Sequence, residues 1–362
     1  PLKILEENSG GFFMETKAFH DNRFDSIQAL RGLSALFIIL EHVRFLNCGA
    51  FGVDIFFCIS GFMIMFSTHK SSACFLRKRL IRILPLYYLM TFGTYFLLLL
   101  FPSMFAQSTA KPEFLIKSLL FIPFDIGNGI LQPIMRIGWT VNCEIFFYLI
   151  FFIALHISHR YRGLISSLML GGIVLVTALL PASVTESCPF LRFYGDSVML
   201  EFVLGILCYY AARGIYALFQ ANRIPRMVSI LSLCIAACIF VLLVATKPGI
   251  NILGYRRFVF WGIPAMLMVL LVFTAGLWLK MPRLFVRLGD MSFSIYLMHY
   301  YPVMFLDRKI FDFSTGTPYA VLGVLISVAI SILLAYVSWI VVEKKVTKWL
   351  LGKITPGAGK NR

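Results

Sequence analysis

The 362-residue chain is 59% hydrophobic and 14% charged, with a mean hydropathy of +0.85, whereas an ordinary soluble domain is about half apolar and about a quarter charged. A soluble fold of this composition would present large apolar patches to water and aggregate, which leaves lipid as its solvent. The formal net charge of +16 falls in short basic runs between apolar segments. That is the pattern of cytoplasmic loops and not of one basic face, so a nucleic-acid partner is excluded.

Residues 1–25 read as a polar N-terminal extension without the pattern of a secretory signal, and Met14 is the expected native start. A membrane-spanning helix needs about 20 mostly apolar residues. Ten stretches are read as spans: 27–45, 50–67, 83–101, 139–155, 164–180, 197–212, 227–245, 258–278, 290–306 and 319–342. The stretch 114–124 is too short to span and carries Lys117, so it reads as an interfacial or re-entrant helix. The fold class expected is all-α: a polytopic helical bundle of about ten transmembrane helices.

Lys and Arg number 22 in the N-terminus, the even-numbered connections and the C-terminal tail, against 10 in the odd-numbered connections. By the positive-inside rule both termini are cytoplasmic. The organisation expected is a membrane domain over 26–343 and a basic cytoplasmic tail over 344–362, in the inner (cytoplasmic) membrane, with bilayer lipids as partners. The 8 Cys show no CxxC pair and no metal-ligand spacing. Cys48 and Cys188 fall in connections placed outside, so a bridge between them stays open.

Ionisable residues inside membrane segments are costly and mark function. In the first span, RGLSALFIILEH separates Arg31 from His42 by eleven residues, which puts both on one helix face about 16 Å apart along the axis. One reading has Arg31 and His42 snorkelling to opposite headgroup layers; the other gives the face an anion-binding group at the cytoplasmic end and a titratable base at the outer end. Asp54, in FGVDIFFCISGFMI, lies at outer depth. It either caps its helix or orients His42, and the two roles are compatible. Glu41 precedes His42 directly.

In FLRKRLIRILPLYY, ordinary positive-inside charge accounts for Arg77 and Lys78, whereas Arg79 and Arg82 share a helix face and suit a phosphate-rich ligand arriving from the cytosol. Glu144, in GWTVNCEIFFY, reads as a proton-handling carboxylate or as a structural one bonded to a neighbouring helix. His299, in LGDMSFSIYLMHYYP, reaches a similar outer depth, either as a site residue or as a helix-end cap ahead of Pro302.

Taken in order, FDSIQALRGLSALFIILEH with its Arg–x10–His, GVDIFFCISGF, FLRKRLIRILPLYY with its Arg–x–x–Arg, WTVNCEIFFY, LGDMSFSIYLMHYYPV and the closing VVEKK resemble the acyltransferase-3 family of integral-membrane O-acyltransferases, over about residues 24 to 343. Such enzymes modify polysaccharides, lipopolysaccharide and nodulation factors. The resemblance implies transfer of an acyl group, usually acetyl from acetyl-CoA, to a sugar hydroxyl across the membrane. By motif, His42 is then the catalytic residue, and Arg31, Arg79 and Arg82 handle the donor.

Three positions depart from the family's commonest pattern: Asn142-Cys143 stands where Ser-Val is frequent, Tyr300 where Trp is usual, and the acidic Glu41 precedes His42. The resemblance implies the stand-alone, exopolysaccharide-acetylating type. The function expected is acyl-CoA-dependent O-acylation of a cell-envelope or exported glycan, with or without a lipid linkage on the acceptor and with no resident cofactor or metal. His42 would act as base, Asp54 or Glu144 would orient it, and Glu41 and His299 are candidates on the acceptor side. Two rivals remain. One is a transporter or flippase for a lipid-linked saccharide, which lacks the expected inverted repeat. The other is a lipid-binding scaffold, which leaves the pairing of Arg31 with His42 unexplained.

Overall fold

The computed structural model describes residues 19, 24–69, 72–102, 110–125, 127, 129–246 and 254–354. Most of the N-terminal extension and the end of the tail lie outside the described residues. In chain order the main helices are α1 (Asp25–Glu41), α2 (Phe51–Ser67), α3 (Phe75–Leu100), α4 (Pro112–Leu119), α5 (Arg136–Ile157), α6 (Arg162–Leu179), α7 (Ala182–Ser187), α8 (Pro189–Tyr194), α9 (Ser197–Gln220), α10 (Arg226–Thr246), α11 (Tyr255–Ala275), α12 (Arg283–Asp290), α13 (Ser292–Met298), α14 (Tyr300–Leu306) and α15 (Pro318–Lys353). Among the described residues there is no strand, only an isolated bridge between Asp125 and Leu131. Among the described residues seven helices, namely α3, α5, α6, α9, α10, α11 and α15, are long and apolar enough to cross a membrane, and α2 is a shorter apolar helix. The protein is an all-α, multi-pass membrane protein.

Several of the expected segments differ from the helices found. α3 begins at Phe75, eight residues ahead of the expected start. Lys and Arg are good helix formers, so the basic cluster continues the helix and does not form a loop. α15 runs on to Lys353 for the same reason. The expected span 290–306 is broken at His299 into α13 and α14. Pro302 has no N–H to give the carbonyl four residues back, and its ring crowds that position.

The chain divides into two compact units. The first comprises residues 1–34, 50–72 and 201–290, the second residues 35–49, 73–200 and 291–362. In the first unit α10 packs on α11 and α11 on α2. α2 meets α9 where two glycines face each other: a Cβ on Gly61 would fall 2.1 Å from the Phe202 carbonyl oxygen, and one on Gly205 2.1 Å from that of Cys58. Small residues let helix backbones approach this closely, which is how membrane helices gain packing when burial supplies little.

In the second unit α5 packs on α6, and α3 runs against α4, α5, α13 and α15. The start of α15 is fixed by local chemistry, with Thr317 accepting from the Ala320 N–H and Pro318 at the first helical position. The buried face of α15 is small and polar, with Ser327 and Ser331 bonded back to the carbonyls of Gly323 and Ser327. Leu325, Leu333 and Val337 point outward. This apolar-out arrangement belongs to a lipid solvent.

Candidate active site: a histidine pair and an arginine cluster

The second unit brings two imidazoles together. His42 follows the last residue of α1, where the bonds His42 N–H to Ile39 and Val43 N–H to Leu40 tighten the helix end. Its Nδ1 donates to the Ile38 carbonyl at 3.2 Å. A carbonyl only accepts, so this bond requires a proton on Nδ1, and in the neutral ring it leaves the lone pair on Nε2. His299, at the break between α13 and α14, is 0% exposed. Its Nδ1–H is shared between the carbonyls of Tyr296 at 2.7 Å and Ile295 at 3.2 Å, so it adopts the same tautomer. Its Nε2 is buried without a hydrogen-bond partner among the described residues. The two rings meet edge to face, with centroids 5.0 Å apart at 83°, and Tyr300 packs on His42 at 5.3 Å.

Three contacts within the unit fix this pair. Glu343, in the closing VVEKK, accepts from the backbone N–H of Ser294 at 3.1 Å and from its hydroxyl, which anchors the first turn of α13. Tyr296 donates to the Ile137 carbonyl and accepts from Thr140, both at 2.8 Å, so the first turn of α5 is tied to the helix carrying His299. That turn bears Arg136, an exposed guanidinium within electrostatic reach of the His42 ring. Arg136 was not among the residues singled out from the sequence, because nothing local in LQPIMRIG marks it.

The third contact is a clasp. Arg44 grips Asp307 with Nε at 3.0 Å and Nη2 at 2.8 Å, and reaches Asp312 at 2.7 Å. The Phe45 N–H donates to the Phe313 carbonyl at 3.0 Å. The Ser314 hydroxyl and N–H, followed by Arg44, hold the Asp312 carboxyl below its ordinary value. Since the folded value is depressed, the clasp's contribution is present above the ordinary carboxylate range of about 4 and is lost as pH falls through the lower folded value. Proteolytic nicking of the 307–317 loop is therefore expected to be flat between about pH 5 and 8 and to rise only below about pH 4. A rise near pH 6 would mean that a histidine and not this carboxylate controls the loop.

The second group of charges lies on α3 and α5. The Arg79 guanidinium sits over the rings of Phe75 at 6.0 Å and Tyr148 at 5.8 Å. Buried Tyr148 donates to Glu144, and Arg82 interacts electrostatically with both Arg79 and Tyr148. Glu144 thus belongs with the arginines, through Tyr148.

Neither carboxylate expected to orient His42 is its hydrogen-bond partner at Nδ1. Asp54, in the first unit and 0% exposed, is gripped by Arg257 through Nε at 3.0 Å and Nη2 at 2.9 Å, and the same guanidinium stacks over Trp261 at 4.9 Å. Nor does Asp54 cap its helix: the cap position is Ala50, without a side-chain bond. Glu41 accepts from the Gly49 N–H at 2.8 Å, closing the 42–49 loop on the end of α1. Arg31, in the first unit, donates to Gln28 at 3.3 Å. The bridge left open between Cys48 and Cys188 is not formed.

A multi-pass helical membrane protein with a paired-imidazole site and a separate guanidinium cluster is the class that the fold and the site define. The acyltransferase-3 family profile, described as an acyltransferase domain, matches residues 24–336, so the chain belongs to that family and is a membrane acyltransferase. Among curated proteins, it is 27% identical to the exopolysaccharide production protein ExoZ of Rhizobium meliloti, over 77% of this chain and 84% of that protein. It is 26% identical to YrhL of Bacillus subtilis, provisionally named a peptidoglycan O-acetyltransferase, over 92% of this chain and 56% of YrhL. It is 25% identical to BcsY of Komagataeibacter xylinus, provisionally named a membrane-bound transacylase, over 90% and 84%. No solved structure matches the chain.

Proposed function

We propose that the protein transfers an acyl group, acetyl in the simplest case, from the thioester of an acyl-CoA to a hydroxyl of a cell-envelope or exported glycan, across the inner membrane. The observation that carries this reading is the tautomer of His42. With Nδ1–H committed to the Ile38 carbonyl, Nε2 offers a fixed lone pair, which is what a general base needs. As the acceptor oxygen attacks the thioester carbonyl, its proton passes to Nε2. Arg79 and Arg82 supply cations that the phosphates of CoA require, and Arg31 is by family motif a further donor-handling arginine. The Phe75 and Tyr148 rings hold Arg79 as a planar fork suited to a phosphate. The family membership and the O-acetyltransferase name of one relative support an O-acyl product, and the exopolysaccharide name of another supports a glycan acceptor. The acceptor's lipid linkage is a separate question for the same assay.

Mass spectrometry of envelope glycans tests the function. A strain lacking this chain should lose one class of O-acetyl group and regain it on complementation. Unchanged acylation would remove the reading. Replacing Arg79 with alanine is expected to raise the acyl-CoA concentration giving half-maximal rate by about tenfold or more, the worth of one charged hydrogen bond, with a smaller effect on kcat. Lysine in its place should recover only part of the loss, since it lacks the fork. An effect confined to kcat would move Arg79 away from the donor.

A further inference from the structure

The His42–His299 pair leaves one nitrogen unexplained. His299 is fully buried, its Nδ1–H is spent on two carbonyls of its own helix, and its Nε2 has no partner among the described residues. A buried acceptor without a donor carries a desolvation penalty that a phenylalanine or leucine of similar size would not. Packing alone therefore does not account for an imidazole here. Its neighbour across the ring contact is His42, whose tautomer also places the lone pair on Nε2. Two lone-pair nitrogens in adjacent rings lack one thing, a proton to share, and the proposed reaction produces it at His42.

We propose that His299 is the positioning residue that stabilises protonated His42, its Nε2 accepting a hydrogen bond from the imidazolium formed when His42 deprotonates the acceptor hydroxyl. This rests on the acyl-transfer reading and deepens it, because it gives the proton that His42 takes up a second acceptor. The three carboxylates near His42 in sequence or by expectation make other bonds: Asp54 to Arg257, Glu144 to Tyr148 and Glu41 to Gly49. Groups described around the pair include Arg136 in the first turn of α5, Tyr300 against His42, and Tyr296 beside His299 at 5.9 Å. Arg136 opposes a positive charge on His42, and none of these groups is an anion.

The step balances. The acceptor O–H bond breaks, the oxygen forms a bond to the acyl carbon, and the proton goes to His42 Nε2, where His299 Nε2 accepts from it. The C–S bond breaks with its electron pair on sulfur, and the thiolate then takes the proton from His42. The products are one ester and one thiol, and both rings return to neutral. No oxidant, metal or further reactant is needed.

The experiment complements the deletion strain with His299→Ala at matched membrane abundance and measures glycan acetyl content. Acetylation is expected to fall about tenfold or more. Imidazole in the medium should restore it, whereas pyrazole, a ring of the same size but a far weaker base, should not. His299→Gln, whose amide provides both a donor and an acceptor, should lie between alanine and wild type. Acetylation within about twofold of wild type in His299→Ala, restoration by both rings, or restoration by neither would overturn the proposal. Should the alanine variant fail to reach the membrane, His299→Gln decides, with wild-type transfer counting against it and reduced transfer for it. A failure of the acyl-transfer reading itself looks different: the wild-type chain adds no acetyl, or His42→Ala still adds it.

Discussion

Replacing His42 with alanine is expected to lower acyl transfer by about 10²- to 10⁴-fold, the usual worth of a positioned general base, with no change in the amount of protein in the membrane. His42 is half-buried at the end of a helix, and the bond it would lose goes to the carbonyl of its own helix, so the fold should tolerate the change. The loss should appear in kcat and in kcat/KM alike, because the proton moves only in the transition state. His42→Gln keeps a donor for the Ile38 carbonyl but offers no basic nitrogen, and should be as inactive as alanine. Should glutamine retain most of the activity, the ring would be a hydrogen-bonding element and not a base.

The second large effect concerns stability. Asp54 is 0% exposed and its partner Arg257 is 14% exposed, so Asp54→Ala leaves a guanidinium largely out of water and without its counter-charge. Breaking such a pair from one side costs about 3–5 kcal/mol, enough to deplete the folded protein in a detergent melt. Removing both charges together, as Asp54→Leu with Arg257→Met, should recover most of that loss, because no unpaired charge is left. A different result, with full stability and absent transfer in Asp54→Ala, would return Asp54 to the catalytic role that sequence reasoning offered it.

The contrast between those two residues shows where sequence reading succeeds in this chain. Membrane residence, helical class and the positions of the long apolar helices follow from runs of apolar residues, whose signal is local and additive. Gly61 sits at a close helix contact, and its neighbour across the contact is another glycine, Gly205. Asp54 was seen as ionisable and misplaced in lipid, but its partner Arg257 lies 203 residues away, in a connection whose basic residues look like any others. Glu144 was assigned by depth, and depth along a helix does not reveal the side-chain direction that carries it to Tyr148 and the arginines. His299 was legible as an oddity beside Pro302. Its contact with His42 was not, since that depends on a helix broken by a proline and anchored by Glu343 from the far end of the chain.

The proposed reaction moves an acyl group from a CoA thioester to a glycan hydroxyl at His42. Purified protein in lipid vesicles, given acetyl-CoA labelled in the acetyl group and envelope glycan from the deletion strain, measures it most directly. The label should enter the glycan as an alkali-labile ester, one free CoA thiol should appear per ester formed, and His42→Ala should do neither. Label remaining on CoA with the wild-type protein, or equal transfer by His42→Ala, would contradict the account.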